Sequence, residues 1–559
     1  MNFRRLGVGS IALATASVLV LAGCASGSGG GGNASAPAAA SAVITANGGE
    51  PQNPLVPTNT NETGGGKILD AIFAGLVYYE ADGTPVNDLA ESIDTTDSQT
   101  FTIKIKPGNT FTNGEPVDAD SFINAWNFGA LLSNAQLNSY FFEDIEGFSY
   151  DEDTQLTGLQ KVDDTTFTVK LKEARSDFPL RLGYSAFYPL PASAFDADGK
   201  VVDTFGENPI GNGPYMLDGD GAWQHNVKID LAVNPDYKGG RTPQNGGLSI
   251  VFYATQDAAY ADLLSGNLDV LDAIPDANYS TFEADLGDRA INQPAAVFQS
   301  FTIPSDLTNF TKKDAFQHFQ GDEGKLRRQA LSMAINRQEI TDVIFEGTRT
   351  PASDFTSPTI GGWSDTLTGA EVLAYNPDEA KKLWAEADAI SPWSGTFQIS
   401  YNSDGGHQGW VDAVANSIKN TLGIDAEGNP YPTFAEQRTL ISKNKDGKRE
   451  ISSAFRTGWQ ADYPGLFNFL GPIYATNASS NDGDYSNPEF DKLLSEGAAT
   501  SDPEEAKAKF QQAQEILLQD LPAIPLWYSN VTGGYGESVD NVEFDWHSVP
   551  LYYAITKTA

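Results

Sequence analysis

Phe101-Thr-Ile-Lys-Ile-Lys-Pro-Gly-Asn-Thr-Phe-Thr-Asn-Gly-Glu-Pro-Val-Asp-Ala-Asp-Ser-Phe122 opens as a strand and closes through turns. Phe101, Ile103 and Ile105 alternate with Thr102 and Lys104, the period-two pattern of a strand with one buried face. The same alternation recurs in Thr166-Phe-Thr-Val-Lys-Leu171 and Val227-Lys-Ile-Asp-Leu231, and Asn113-Gly114, Asp198-Gly199 and Lys238-Gly239-Gly240 punctuate the runs. Helix starts stand between them. Asn376-Pro-Asp-Glu379 and Asp502-Pro-Glu-Glu505 each place a capping side chain, a first-turn proline and early acids ahead of an apolar face, Leu383 and Trp384 in one case and Phe510, Ala513 and Leu517 in the other. Asn336-Arg-Gln-Glu339 makes a third cap after the amphipathic run Leu326, Ala330, Met333. The pattern is that of an α/β chain with mixed sheets and no internal repeat.

The length of 559 residues exceeds what one core supports, so two or three lobes are expected. With 35 Lys and Arg against 74 Asp and Glu the net charge is -39, which excludes nucleic acid as partner and serves solubility. The single cysteine, Cys24, forbids an intrachain disulfide. It follows Arg4, Arg5 and a short apolar run ending Leu21-Ala22-Gly23, the layout of a secretory signal over residues 1–23. Leu-Ala-Gly-Cys resembles the lipobox of bacterial lipoproteins, which implies that Cys24 becomes the acylated N-terminus. Residues 24–41, nearly all Gly, Ala and Ser, then read as a flexible leash. The expected location is the outer face of the cell membrane, held by lipid alone, since no later run has the ~20 apolar residues of a span.

Catalytic constellations do not assemble. The chain holds no Gly-x-Ser-x-Gly elbow, no His-Glu-x-x-His, no phosphate loop and no dinucleotide fingerprint. The four histidines, 225, 318, 407 and 547, are not spaced as metal ligands, and neither Asp151-Glu-Asp153 nor Asp482-Gly-Asp484 completes a calcium loop. No cofactor, no metal and no enzymatic activity are expected. An extracellular hydrolase working through two carboxylates stays open as an alternative, because carboxylates are many and no pair stands out.

The opening stretch, taken whole, resembles the signature segment of the family 5 extracellular solute-binding proteins of ABC importers. Further matches follow in the family's order: Pro209-Ile-Gly-Asn-Gly-Pro-Tyr215, Asn234-Pro-Asp-Tyr237, Leu326-Arg-Arg-Gln-Ala-Leu-Ser-Met-Ala-Ile-Asn-Arg337, Gly458-Trp-Gln-Ala-Asp-Tyr463 and Ala523-Ile-Pro-Leu-Trp-Tyr528. The oligopeptide-binding branch is the nearest.

That resemblance implies a periplasmic-binding-protein-like type II fold, two lobes on a hinge with an extra inserted domain. Domain I would comprise 42–75, 205–294 and 526–559, domain II 76–204 and domain III 295–525. It implies a monomer that captures short peptides and hands them to the permease of an importer. Asp462 would receive the ligand's α-ammonium, with Trp459 as an apolar wall beside it. Arg456 and His407 match positions that hold the far carboxylate. Asn61 to Gly65 matches an edge strand that pairs with the peptide backbone, and Tyr140 is a further candidate. Dipeptides or oligosaccharides on the same scaffold remain alternatives. Nickel is disfavoured by the scarcity of imidazoles, and a signalling lipoprotein is a further class.

Overall fold

The computed structural model describes residues 42–557; the signal segment, Cys24 and the leash lie outside the described residues. The strand Thr100–Ile105 forms where the alternation places it, with Phe101, Ile103 and Ile105 buried. It lies second in a four-stranded antiparallel sheet ordered Ala90–Thr95, Thr100–Ile105, Thr166–Lys170, Leu159–Asp163. Gly114 turns the chain at φ 86°, a value open to glycine, between the bridged residues Thr110 and Pro116.

The same stretch then starts a helix, Ala119–Ala130, which the alternation does not reveal. Asp118 accepts from the Ser121 amide at 3.0 Å, and the Ser121 hydroxyl accepts from the Asp118 amide at 3.2 Å. The familiar box signature carries Glu or Gln at that place, so a Ser there is easily missed. The helix buries Trp126 against Phe167 and Phe187, with its indole N–H donating to the Phe187 carbonyl at 3.0 Å. Large aromatic rings in edge contact account for much of this core.

A 12-stranded sheet joins the rest. One end holds Tyr215–Leu217, Lys228–Val233, Gly247–Phe252 and Val43–Gly48; the other holds Ala454–Gln460, Thr396–Asn402 and Asp425–Tyr431. Between them run two antiparallel strands, Ala290–Thr302 and Ala523–Tyr535, each 13 residues long. Ala295 and Val531 pack into the first core, while Ala296, Phe298, Trp527 and Tyr528 pack into the second. A register shift between Pro294 and Val297 falls at that changeover, and an irregularity of this kind bends a strand.

The caps at Asn376, Asp502 and Asn336 start Pro377–Ile390, Pro503–Asp520 and Arg337–Ile344. Pro209 to Tyr215 has a packing reason for its glycines: a Cβ on Gly211 would run into the Ile72 carbonyl, and Asn212 bonds Ala74 through both its N–H and its C=O at 3.1 Å. The motif thereby anchors the end of the helix Thr63–Ile72, whose start faces the site. The halves also touch away from the long strands. Tyr463 donates to Asp177 at 3.2 Å, and Arg181 lies over Tyr463 and Phe467 at 5.6 and 5.5 Å.

Candidate ligand-binding cavity

A cavity of about 730 Å³ opens between the two halves. The first half supplies the start of Thr63–Ile72, the tyrosines 79, 184 and 188 and most of the segment from Asp545 onward; the second supplies Gln460 and Asp462. Six carboxylates line it (Glu50, Glu62, Asp70, Asp272, Asp462 and Asp545), against Lys67 and Arg241. Both cations are engaged. Lys67 is ion-paired with Asp272, and Arg241 donates to the Asp70 and Phe73 carbonyls at 2.7 and 2.9 Å and faces Asp88 at 3.7 Å.

Asp462 follows directly on the strand Ala454–Gln460. Its backbone N–H donates to Asn468 Oδ1 at 2.9 Å, and Asn468 Nδ2 donates to its carboxylate at 3.0 Å. No cation lies within ion-pairing distance of it among the described residues. Its remaining exposed surface faces the cavity while protein closes round the other sides, and this burial pushes the carboxyl up to about 6, against the pull of the Asn468 amide. Tyr79, Tyr140 and Tyr184 all lie within its field; burial first, and then Asp462, hold the Tyr140 and Tyr184 phenols well above their ordinary value.

The expected site residues separate into groups. Asp462 and Asn61 line the cavity; Trp459, Arg456, His407, Tyr140 and Gly65 do not. Trp459 is tied to Asp462 through a shared partner, its indole N–H donating to Asn468 Oδ1 at 3.1 Å. Tyr140 stacks on Phe141 at 4.5 Å, and Phe141 on the cavity-lining Tyr184 at 4.3 Å. Arg456 and His407 belong to one neighbourhood at the other end of the strand. Arg456 donates to Asn402 at 3.2 Å, and His407 accepts from the Trp410 indole at 3.1 Å.

The edge-strand reading of Asn61 to Gly65 is corrected. Thr63–Ile72 is a helix, and the Glu62 carboxylate accepts from the Gly64 and Gly65 amides at 2.7 and 2.8 Å. Those amides cap the helix and are not offered to a ligand's backbone. A free edge exists elsewhere. Ala454–Gln460 pairs along one side with the long strand Ala290–Thr302, but on its other side only Ala454 and Phe455 meet a strand. From Arg456 to Gln460 that edge has no strand neighbour, and it leads to Asp462. Tyr79, Tyr184 and Asp545 carried no signal in the sequence, because each comes from a separate segment that only the fold brings to the cavity.

Two half-molecules joined by paired long strands, with a polar cavity between them, define a ligand-binding receptor of the type II periplasmic-binding-protein class. The chain belongs to the bacterial extracellular solute-binding proteins, family 5, whose middle region matches residues 84–481. It is 24% identical over 512 residues to the oligopeptide-binding protein OppA of Bacillus subtilis, covering 87% of this chain and 88% of that one. The probable deoxycholate-binding periplasmic protein YgiS of Escherichia coli is 26% identical over 493 residues, covering 85% of each. Among solved structures, the Escherichia coli murein tripeptide binding protein MppA superposes with a TM-score of 0.74 at 20% identity, covering 93% of this chain and 99% of that one. Haemophilus influenzae OppA in complex with RPPGFSPFR gives 0.70 at 22% identity, covering 93% and 99%. No helix among the described residues is long and apolar enough to cross a membrane.

Proposed function

We propose that this protein is a lipid-anchored receptor that captures short peptides between its halves and presents them to an ABC importer, without covalent chemistry. The observation that carries the reading is Asp462, a desolvated carboxylate with no cationic partner, standing at the end of an open strand edge. A peptide laid along Arg456 to Gln460 as an added strand would bring its α-ammonium to Asp462 and its main chain to the unpaired edge. Arg456 and His407, at the far end, are the receivers for the carboxylate. Main-chain pairing and end charges ask little of side-chain identity, so capture is sequence-tolerant. The relatives named for oligopeptides and murein tripeptide support this ligand class.

The three-domain division stands with this reading: 42–75, 205–294 and 526–559; 76–204; and 295–525. The two cores that change over along the long strands support the separation of 295–525 from the rest, and the strand irregularity at Pro294 is the natural hinge. Closure over cargo requires contacts that the open form lacks. Native mass spectrometry of freshly purified protein tests the ligand: released masses should be those of short peptides. Once stripped, the protein should contract in small-angle scattering when peptide is added, and gain about 2.7 kcal/mol of stability at a hundredfold excess over Kd. An unchanged radius together with an unshifted melting curve would sink the hinge mechanism.

The anchor is tested separately. Cys24→Ser should move the protein from the membrane fraction to the soluble one with peptide affinity unchanged. Persistence in the membrane fraction would remove the lipobox reading.

One observation favours a second reading. Tyr79, Tyr184, Tyr188 and Tyr253 give the cavity the aromatic lining that suits an uncharged ligand such as an oligosaccharide. Asp462 weighs against it, because a neutral sugar leaves that carboxylate without a charge partner.

A further inference from the structure

The cavity holds a second desolvated carboxylate that the α-ammonium does not use. Asp545 Oδ1 accepts from the His547 and Val549 amides at 2.9 and 2.8 Å, a turn that fixes the side chain, and no cation lies within ion-pairing distance of the group among the described residues. The charges around it can be counted. Asp70, Asp88, Asp272 and Asp545 face Lys67 and Arg241, with Lys67 in contact with Asp272 and Arg241 with Asp88. Asp70 accepts from Tyr188 at 2.8 Å and has Arg241 nearby. His547 adds no positive charge, since burial, with Lys67 beside it, holds its ring down at about 4. Two negative charges remain uncompensated, those of Asp70 and Asp545, neither of which is ion-paired among the described residues.

An independent feature points to a ligand at the same place. Tyr552 lines the cavity at 6% exposure, yet its hydroxyl has no hydrogen-bond partner. That hydroxyl lies in the field of both Asp272 and Asp545. A buried hydroxyl left unpaired forfeits its hydration with nothing in return, so such a group in a cavity wall marks where a partner belongs. An ammonium or guanidinium against Asp545 would supply the Tyr552 oxygen with a donor and Asp545 with its charge partner.

We propose that Asp545, with Tyr552, receives a second positive charge, so that the protein selects peptides bearing a lysine or arginine side chain close to a free N-terminus. The position is near the N-terminus because Asp462 and Asp545 line one cavity. Burial holds the Asp545 carboxyl at about 7, as expected of a group that takes a proton when no cation is present. This inference rests on the peptide reading above.

Calorimetry on the stripped protein tests it with alanine-based tetrapeptides carrying lysine, norleucine or Nε-acetyl-lysine at each of the first three positions. Lysine should bind at least tenfold tighter than either neutral analogue at one position, the size of a buried charge pair. Asp545→Asn keeps the Oδ1 acceptor for the two amides and should shrink that ratio below threefold; Tyr552→Phe should reduce it in part. A ratio within threefold at every position in the parent protein, or one preserved in Asp545→Asn, overturns the proposal. Neutral free-amine peptides that bind with no lysine preference remove this inference alone. Failure of every peptide to bind removes the peptide reading with it.

Discussion

Asp462→Ala should weaken free-amine peptides by at least tenfold, with the loss falling in the ~2–5 kcal/mol range that follows removal of one member of a buried charge pair. The α-ammonium would still be desolvated by closure, but without the carboxylate that the Asn468 amide holds in place. N-acetylated peptides should bind the parent protein poorly and lose far less on mutation, since they lack the charge that Asp462 pairs. The pH dependence has a definite sign. With its carboxyl raised to about 6, Asp462 is ionised above that value, so affinity is full near neutrality and falls as pH drops through 6. It falls again above about 8, where the peptide amine itself loses its proton. For folding the sign is opposite: a raised carboxyl costs the empty protein stability as pH rises from the ordinary carboxylate range through 6, and bound ammonium offsets that cost. Equal affinity for free and acetylated peptides in the parent protein would overturn the assignment.

The sequence was most informative where local chemistry decides structure. Alternation located Thr100–Ile105 and Thr166–Lys170, and Asn376, Asp502 and Asn336 start the helices they were expected to start. It was least informative where long-range packing decides. Asn61 to Gly65 reads equally as extended chain or helix start, its two glycines being conformationally permissive, and the outcome turns on the Glu62 side chain folding back on two amides. Asp462 was legible only through the family motif, because nothing in its own segment shows that Asn468 clamps it or that tyrosines from the other half surround it. Asp545 had no motif at all. Its chemistry exists only because the segment from Asp545 onward folds beside Asp70 and Lys67. The helix Gly321–Met333 shows the limit of periodicity in another way. Its expected apolar face was Leu326, Ala330 and Met333, yet Leu326 is only half-buried while Arg327 and Arg328 are buried.

Arg327→Ala should therefore be among the most destabilising single changes in the second half, costing ~3–5 kcal/mol. The Arg327 side chain is 0% exposed. Its Nε donates to Glu323 at 2.9 Å, and Nη2 donates to Asp388 at 3.0 Å and to the Ser391 carbonyl at 2.6 Å. The guanidinium also lies over Trp384 at 4.4 Å and Trp393 at 5.2 Å. Truncation removes packing against two indoles and leaves Glu323, itself mostly buried, with the His318 ring at 2.7 Å as its remaining side-chain neighbour. Two mechanisms, a lost pair and a lost stem, make different forecasts for a second variant. If the uncompensated carboxylate dominates, Arg327→Met combined with Glu323→Leu should recover most of the loss, because a buried pair exchanged for apolar groups of similar volume is near neutral. If packing dominates, Arg327→Met alone should recover it. The exposed pair Lys382–Glu379 supplies the contrast, since breaking it should change stability by ~0.5 kcal/mol or less. Urea unfolding followed by tryptophan fluorescence reads all four proteins, and an Arg327→Ala midpoint within ~1 kcal/mol of the parent would show that this buried arginine is not a keystone of the second core.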